Sequence, residues 1–457
     1  MNDESGPWSP FEPTAGDRWD LEKVAHLHRR AGFGAIWSEL QRDLAAGPQD
    51  SVDRILDPPD LPANERRLLD SLLHGALAGH DAERLKAWWL YRMLWGPDPL
   101  GEKLTLFWHG HFATSNRKVR SLPLMAEQNE LFRRHARGSF AVMLSGIVAD
   151  SAMLVWLDGG SSRREKPNEN FARELLELFT LGPGQFGESD VREAARALTG
   201  WVPDLAGHRD GAQAFRFDRD RFDDGEKTFL GRRGPWNAED IVEITLEQPA
   251  AAEFLCRKLY RFLASEAVDP PAELIGPLAA ELRARGYSIR HVVRTIVRSR
   301  HFYSAEVRRQ RIASPIEFSL GLLRVLEVPH RSVALLALAA ACTAQGQDLF
   351  YPPSVKGWDG GRRWLNSATL LARGNWVNDV IWGHDRLGVP PLDVAGWAAR
   401  YGLAPGAAVA TLVELLLQQA IHPVARDTVV RAGADGRPDS LRKALQIALH
   451  CPEFQLT

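Results

Sequence analysis

Apolar residues recur at helical spacing along most of the chain, and the stretch from Pro167 to Trp201, PNENFARELLELFTLGPGQFGESDVREAARALTGW, shows the pattern most fully. At about 100° per residue, Phe171, Ala172, Leu175, Leu176, Leu178 and Phe179 cover one side of a helix, while Asn170, Arg173, Glu174 and Glu177 share the other. Asn168 can cap its start and Gly182 with Pro183 stops it, so Asn170, Glu174 and Glu177 form one i, i+4, i+7 row. Asp190 and Glu193 make a capping-box-like start for a second helix, which carries Arg192 and Arg196 and ends at Gly200. The short connection from Leu181 to Ser189 favours antiparallel packing, which predicts Glu174 and Glu177 turned inward against Arg192 or Arg196. Two blander readings stand beside that one: a solvated polar face, or a buried Glu/Arg network that only fixes helix register.

The same periodicity predicts a helix from Leu21 closed by Gly32 and Gly34, then helices near 51–56, 63–77, 82–94, 101–112, 124–137 and 140–156. Beyond the central stretch it predicts helices near 238–245, 250–265, 272–285, 289–298, 315–326, 407–420 and 441–450. The apolar run VALLALAAAC, Val333 to Cys342, is too short to span a bilayer and reads as a buried helix. Strand-like alternation occurs only in AFRF, Ala214 to Phe217, and KTFLG, Lys227 to Gly231, which flank an Asp/Gly turn. The expected fold is therefore all-α, a large multi-helix bundle with one small β-hairpin near 214–231. Residues 1–18 are expected to be a disordered lead, 19–376 the main helical domain, and 377–457 a C-terminal helical appendage packed on it. No fixed-period internal repeat is visible.

Composition narrows the function. Lys plus Arg is 56 against 58 for Asp plus Glu, so there is no electrostatic case for a nucleic-acid or anionic-membrane partner. Hydrophobic residues at 45% and charged residues at 25% are ordinary globular usage. Cys256, Cys342 and Cys451 stand alone, which fits a reducing compartment and excludes a disulfide framework. The first residues lack an apolar signal-peptide core, so the expected location is cytoplasmic.

Several segments together resemble a bacterial family: HLHRRAGFG, KLTLFWHGHFATS, PNENFARELLELFTLG, DVREAARALTGW, DDGEKTFLG and FYPPSVKGWDGGRRWLNSATLLARGN. The chain resembles the uncharacterised family catalogued as domain of unknown function 1800, from about Leu21 to Trp376, with CPEFQL near the end echoing it. The resemblance implies no assigned reaction. The chain departs from the family pattern at Phe222, where members commonly have His before Asp, and at Phe179, where many have His; many members also carry export signals.

The sharpest metal-like signal is His109-Gly110-His111. On a regular helix the two rings point about 200° apart, so joint coordination requires the helix to end near Gly110. With a carboxylate, the pair would make a two-histidine iron or a hydrolytic zinc site; singly, each histidine is read as a hydrogen-bonded structural residue. The aspartate-rich DRDRFDDGEKTFLG fails as a calcium loop, because a start at Asp220 puts Phe222 third and Gly231 where the bidentate Glu belongs. Neither a Walker A loop nor HExxH nor GxSxG occurs. Gly346 to Trp376 is an irregular Pro/Gly/Trp loop feeding a helix capped near Asn366 or Ser367, and Trp358 and Trp364 are candidate cofactor-pocket walls. Two function classes follow. One is a metal-dependent enzyme, hydrolytic or oxidative, with a divalent metal on His109 and His111 and with Glu174, Glu177, Arg192 and Arg196 as catalytic groups. The other is a non-catalytic helical scaffold or binding protein using the Trp/Pro-rich loop, its substrate or protein partner left open.

Overall fold

A computed structural model describes residues 6–203, 215–267, 269–329, 333–417 and 421–457. Helices carry the fold, and the only named strands among these residues are four short ones in two antiparallel pairs. Trp201–Pro203 pairs with Phe215–Phe217, and Lys227–Phe229 pairs with Arg232–Gly234. Both segments read as strands are strands, but each takes a neighbour other than the one expected; Ala214 lies outside the described residues. Leu230 and Gly231, both at positive φ, turn the second pair tightly enough to close it on itself.

The helix Pro99–His111 organises the interior. Asp98 caps it by accepting from Gly101 N at 2.8 Å, and Pro99 occupies its first turn, where a missing N–H costs nothing. Every residue from Leu100 to His109 is buried, because this helix runs between two apolar clusters. One gathers Phe107, Trp108, Phe112 and Phe140 with the helices Glu169–Glu174 and Pro249–Leu263. The other gathers Leu106 and Trp89 with the helices Pro315–Val325, Ser367–Trp382 and Pro438–Leu449. The C-terminal helices thus share a core with residues 85–94, near the other end of the chain. No helix among the described residues is long and apolar enough to cross a membrane.

The expected free lead is corrected for its described part. Phe11 is 4% exposed within the first cluster, its N–H donates to Arg298 O at 2.7 Å, and Trp8 donates to Leu274 O at 2.8 Å. Acidic, Pro/Gly-rich composition points to disorder, yet two aromatic side chains suffice to anchor the segment.

Candidate functional site

The two histidines of the HGH motif leave the same helix in different directions, because the helix stays regular through His111. His109 Nε2 accepts the backbone N–H of Phe350 at 3.1 Å, and its ring lies 5.3 Å from Trp89 and 5.5 Å from Trp358. Burial pulls its pKa to about 3, so it stands as a neutral acceptor. That acceptor holds a strained residue: Phe350 has φ 65°, and its carbonyl is fixed in turn by Asn116 N at 2.9 Å. The loop then crosses the motif so closely that a Cβ on Gly357, which has φ +77, would collide with the carbonyl of Gly110. Gly357→Ala is therefore expected to cost roughly 1–3 kcal/mol through backbone strain plus that clash; a melting temperature equal to wild type would show that the loop is not seated on the helix as described.

His111 faces the other cluster. Its Nε2 donates to Phe179 O at 3.0 Å, and its Nδ1 accepts from Lys258 Nζ at 3.1 Å; Lys258 also donates to Leu178 O at 2.9 Å. The reason lies in the helix they clasp. Asn168 caps it as expected, accepting from Asn170 N at 2.9 Å, but residues Leu175–Thr180 widen into a π-turn before Gly182 and Pro183 end it. A helix end leaves its last carbonyls without N–H partners, and Pro183 has no N–H to offer. His111 and Lys258 satisfy the carbonyls of Phe179 and Leu178. Burial pulls Lys258 to about 8, and burial with the Lys258 charge holds His111 well below its usual range.

The expected Glu/Arg pairing takes a different form. The helix Glu188–Ala197 packs through Val191, Ala194 and Ala195, all fully buried, and these small side chains leave no room for arginine between the helices. Arg192 is exposed. Arg196 turns away to Asp223, with bonds of 2.7 and 3.1 Å, and to Glu193 at 2.9 Å. Between the two helices the ion pair is Arg173 with Glu188, at 2.9 and 2.7 Å. Glu174 and Glu177 are half-buried side by side; burial first, then the charge of Glu177, raises the Glu174 carboxyl, against the pull of Lys356 and Arg173. At the capping box, Asp190 accepts from Gly187 N at 2.8 Å, so it supplies the returning acceptor instead of the cap.

These placements do not assemble a metal centre. Among the described residues no group of three or more His, Cys, Asp and Glu side chains is arranged to hold an ion, and both ring nitrogens of His111 are engaged by non-acidic partners. Trp358 packs on His109, and Trp364 is 8% exposed with its carbonyl accepting from Thr369 Oγ1 at 2.8 Å. Neither lines the clefts described next.

Where the Trp/Pro-rich loop ends, Leu365 and Leu370 wall an open cleft of about 710 Å³, closed on its other sides by Ile312, Phe318, Val377 and Leu449. Asn366 caps the Ser367–Trp382 helix, accepting from Ala368 N and Thr369 N at 3.0 Å, which fixes the direction of this wall. Arg373, 1% exposed, lies at the cleft's floor. A second cleft of about 590 Å³, lined by Val409, Val413, Val429 and Val430, has no buried polar group in its lining. Pattern reading missed Arg373 and Lys258; Arg373 is a cation in the apolar stretch LLARGNW, which was an available signal, whereas Lys258 stands beside Arg257 and Arg261 and is not set apart by its sequence.

A family model described as a protein of unknown function (DUF1800) matches residues 26–456. No curated protein and no solved structure matches the chain.

Proposed function

The chain belongs to the DUF1800 family, and from that premise, which brings no assigned reaction, we propose that it is a non-catalytic helical binding protein for a small apolar molecule. The observation that carries this reading is the cleft of about 710 Å³ at the end of the Trp/Pro-rich loop, a volume within the range of about 300 to 1,000 Å³ typical of small-molecule sites. Exposed apolar surface continues beyond its mouth: Leu370 is 45% exposed and Leu371 66%. Isolated exposed leucines need no explanation, but two adjoining an apolar cleft do.

The metal-dependent reading has less support, since the histidines proposed as ligands serve backbone groups of the loop and the π-turn. Elemental analysis of untagged protein is expected to find no stoichiometric transition metal, and one equivalent retained through chelation would reinstate that reading. For the binding reading, an uncharged solvatochromic dye titrated into the full chain is expected to saturate at one site. Leu370→Asp, at an exposed position that tolerates charge, is expected to weaken dye binding at least tenfold with the melting temperature unchanged. Dye binding that never saturates, or that ignores Leu370→Asp, rules the cleft out.

A further inference from the structure

The floor of the cleft holds a cation without an anion. Arg373 Nη1 donates to Gln455 Oε1 at 2.9 Å and Nη2 to Ala313 O at 2.8 Å, both neutral acceptors, while Nε is buried with no partner among the described residues. A guanidinium has five N–H donors in a flat fork that matches a carboxylate, so these contacts leave most of its capacity unused. The Phe318 ring, 4.8 Å from the guanidinium carbon, supplies its remaining close stabilisation. The strongest favourable charge it feels is that of Glu317, which is already held by Arg311 and Lys103. Burial accordingly pulls Arg373 down to about 10. A buried charge of this kind is costly unless an opposite charge joins it.

The other polar groups of the cleft define what that charge can be. Glu453 is the one carboxylate in its lining, and its charge is felt by Arg309 outside the lining. The His450 ring donates through Nδ1 to Gln446 O at 2.7 Å and lays its Nε2 edge over Gly374 at the rim. The remaining polar groups of the lining are His450 and Gln455, and the rest of the wall is apolar. A single guanidinium held only by neutral acceptors is matched to one negative charge on a long apolar body and mismatched to a phosphate dianion.

We propose that the cleft binds a medium- or long-chain monocarboxylic acid, its chain along Phe318, Leu370 and Leu449 and its carboxylate on Arg373 in place of the Gln455 amide oxygen. This rests on the binding reading above and names its ligand class. Gln455 acts as an internal stand-in: its amide oxygen occupies one guanidinium donor when the cleft is empty and yields it to a stronger, charged acceptor.

The test titrates the full chain calorimetrically, below micelle-forming concentrations, with dodecanoic acid, dodecanol and dodecylamine. The acid is expected to bind at least tenfold more tightly than the alcohol, and the amine most weakly. Arg373→Met should erase the advantage of acid over alcohol while leaving alcohol binding in place. Because Arg373→Met also removes the tie to Ala313 and can fail to fold, Gln455→Ala provides a second readout of opposite sign: freeing Nη1 should tighten the acid several-fold and leave the alcohol unchanged. Equal affinity for acid and alcohol overturns the carboxylate assignment and spares the apolar-cleft reading. Absence of saturable binding by all three overturns both. Acid binding that survives Leu370→Asp lies elsewhere on the protein and overturns the assignment as well.

Discussion

Glu317→Gln is expected to cost about 3–5 kcal/mol of stability, the range for breaking a buried ion pair by removing one partner's charge. Glu317 is 8% exposed and serves three donors at once. Its Oε1 accepts from Arg311 Nη1 at 2.6 Å and from Lys103, and its Oε2 accepts from Ser314 N at 2.8 Å in the capping box that starts the Pro315–Val325 helix. Those two cations hold its carboxyl well below the usual range. Lys103 is completely buried, and its other acceptors are the carbonyls of Arg29 at 3.1 Å and Gly32 at 2.8 Å. An amide keeps the size and one acceptor but removes the anion shared by the two cations: Arg311 is left with the charge of Glu266, and Lys103, already pulled down to about 7 by burial, loses the one carboxylate that supports its proton. Urea unfolding at neutral pH measures the loss. Replacing the whole set by apolar residues, Lys103→Met, Arg311→Met and Glu317→Leu together, should be far milder than the single change, since no charge is then stranded. If Glu317→Gln unfolds with the wild-type midpoint, Glu317 does not neutralise this cluster.

How far the molecule was legible follows from the same residues. Most helices and the all-α class were readable because apolar spacing and caps such as Asn168, Asn366 and Gly182 are local signals. The helix expected over 140–156, however, is two, Phe140–Val148 and Ser151–Trp156, the second restarted by an Asp150 cap, and Trp37–Ala46, Val394–Arg400 and Pro423–Ala432 were not anticipated. Strand partners were not readable: Phe215–Phe217 and Lys227–Phe229 alternate correctly, but which strand each meets depends on contacts beyond their own sequence. The charged row on the central helix was read correctly as polar, yet its partners were set by the small Val191/Ala194/Ala195 contact face, which turns Arg196 toward Asp223. The widening to a π-turn at Leu175–Thr180 leaves no pattern in ELLELFT, because it is tied to remote groups: His111 and Lys258 take the carbonyls at the helix end. Charges isolated in apolar runs were the underused signal. Lys103 in KLTLFW and Glu317 in PIEFSL are each unpaired in their own helix and meet only in the fold.

The protein is expected to lose stability steeply as pH falls from 6.5 toward 4, driven by histidines buried without a place for a second proton. His109 is neutral with a folded pKa of about 3 against an ordinary value of 6.5, and burial is the cause. His111 is lowered by burial and by the neighbouring Lys258 charge. His26 is lowered by burial and then by Arg30; its Nε2 donates to Phe302 O at 3.1 Å while Nδ1 is buried without a partner among the described residues. For each, the folded pKa lies below the unfolded one, so the unfolded chain takes up a proton first as pH falls through 6.5. Their contribution is therefore fully present above pH 6.5 and is withdrawn below it, until the folded group itself titrates. Each such histidine contributes a slope of about 1.4 kcal/mol per pH unit, and three acting together would exhaust a stability of about 5–15 kcal/mol within a few units. Urea midpoints measured at intervals from pH 7.5 to 4 give the wild-type slope. His109→Gln keeps an acceptor near Phe350 N and removes one titrating ring, so its slope below pH 6.5 should be shallower by about 1.4 kcal/mol per unit. An unchanged slope would mean that His109 already carries its proton when folded, and the neutral acceptor that holds Phe350 in its strained conformation would have to be abandoned.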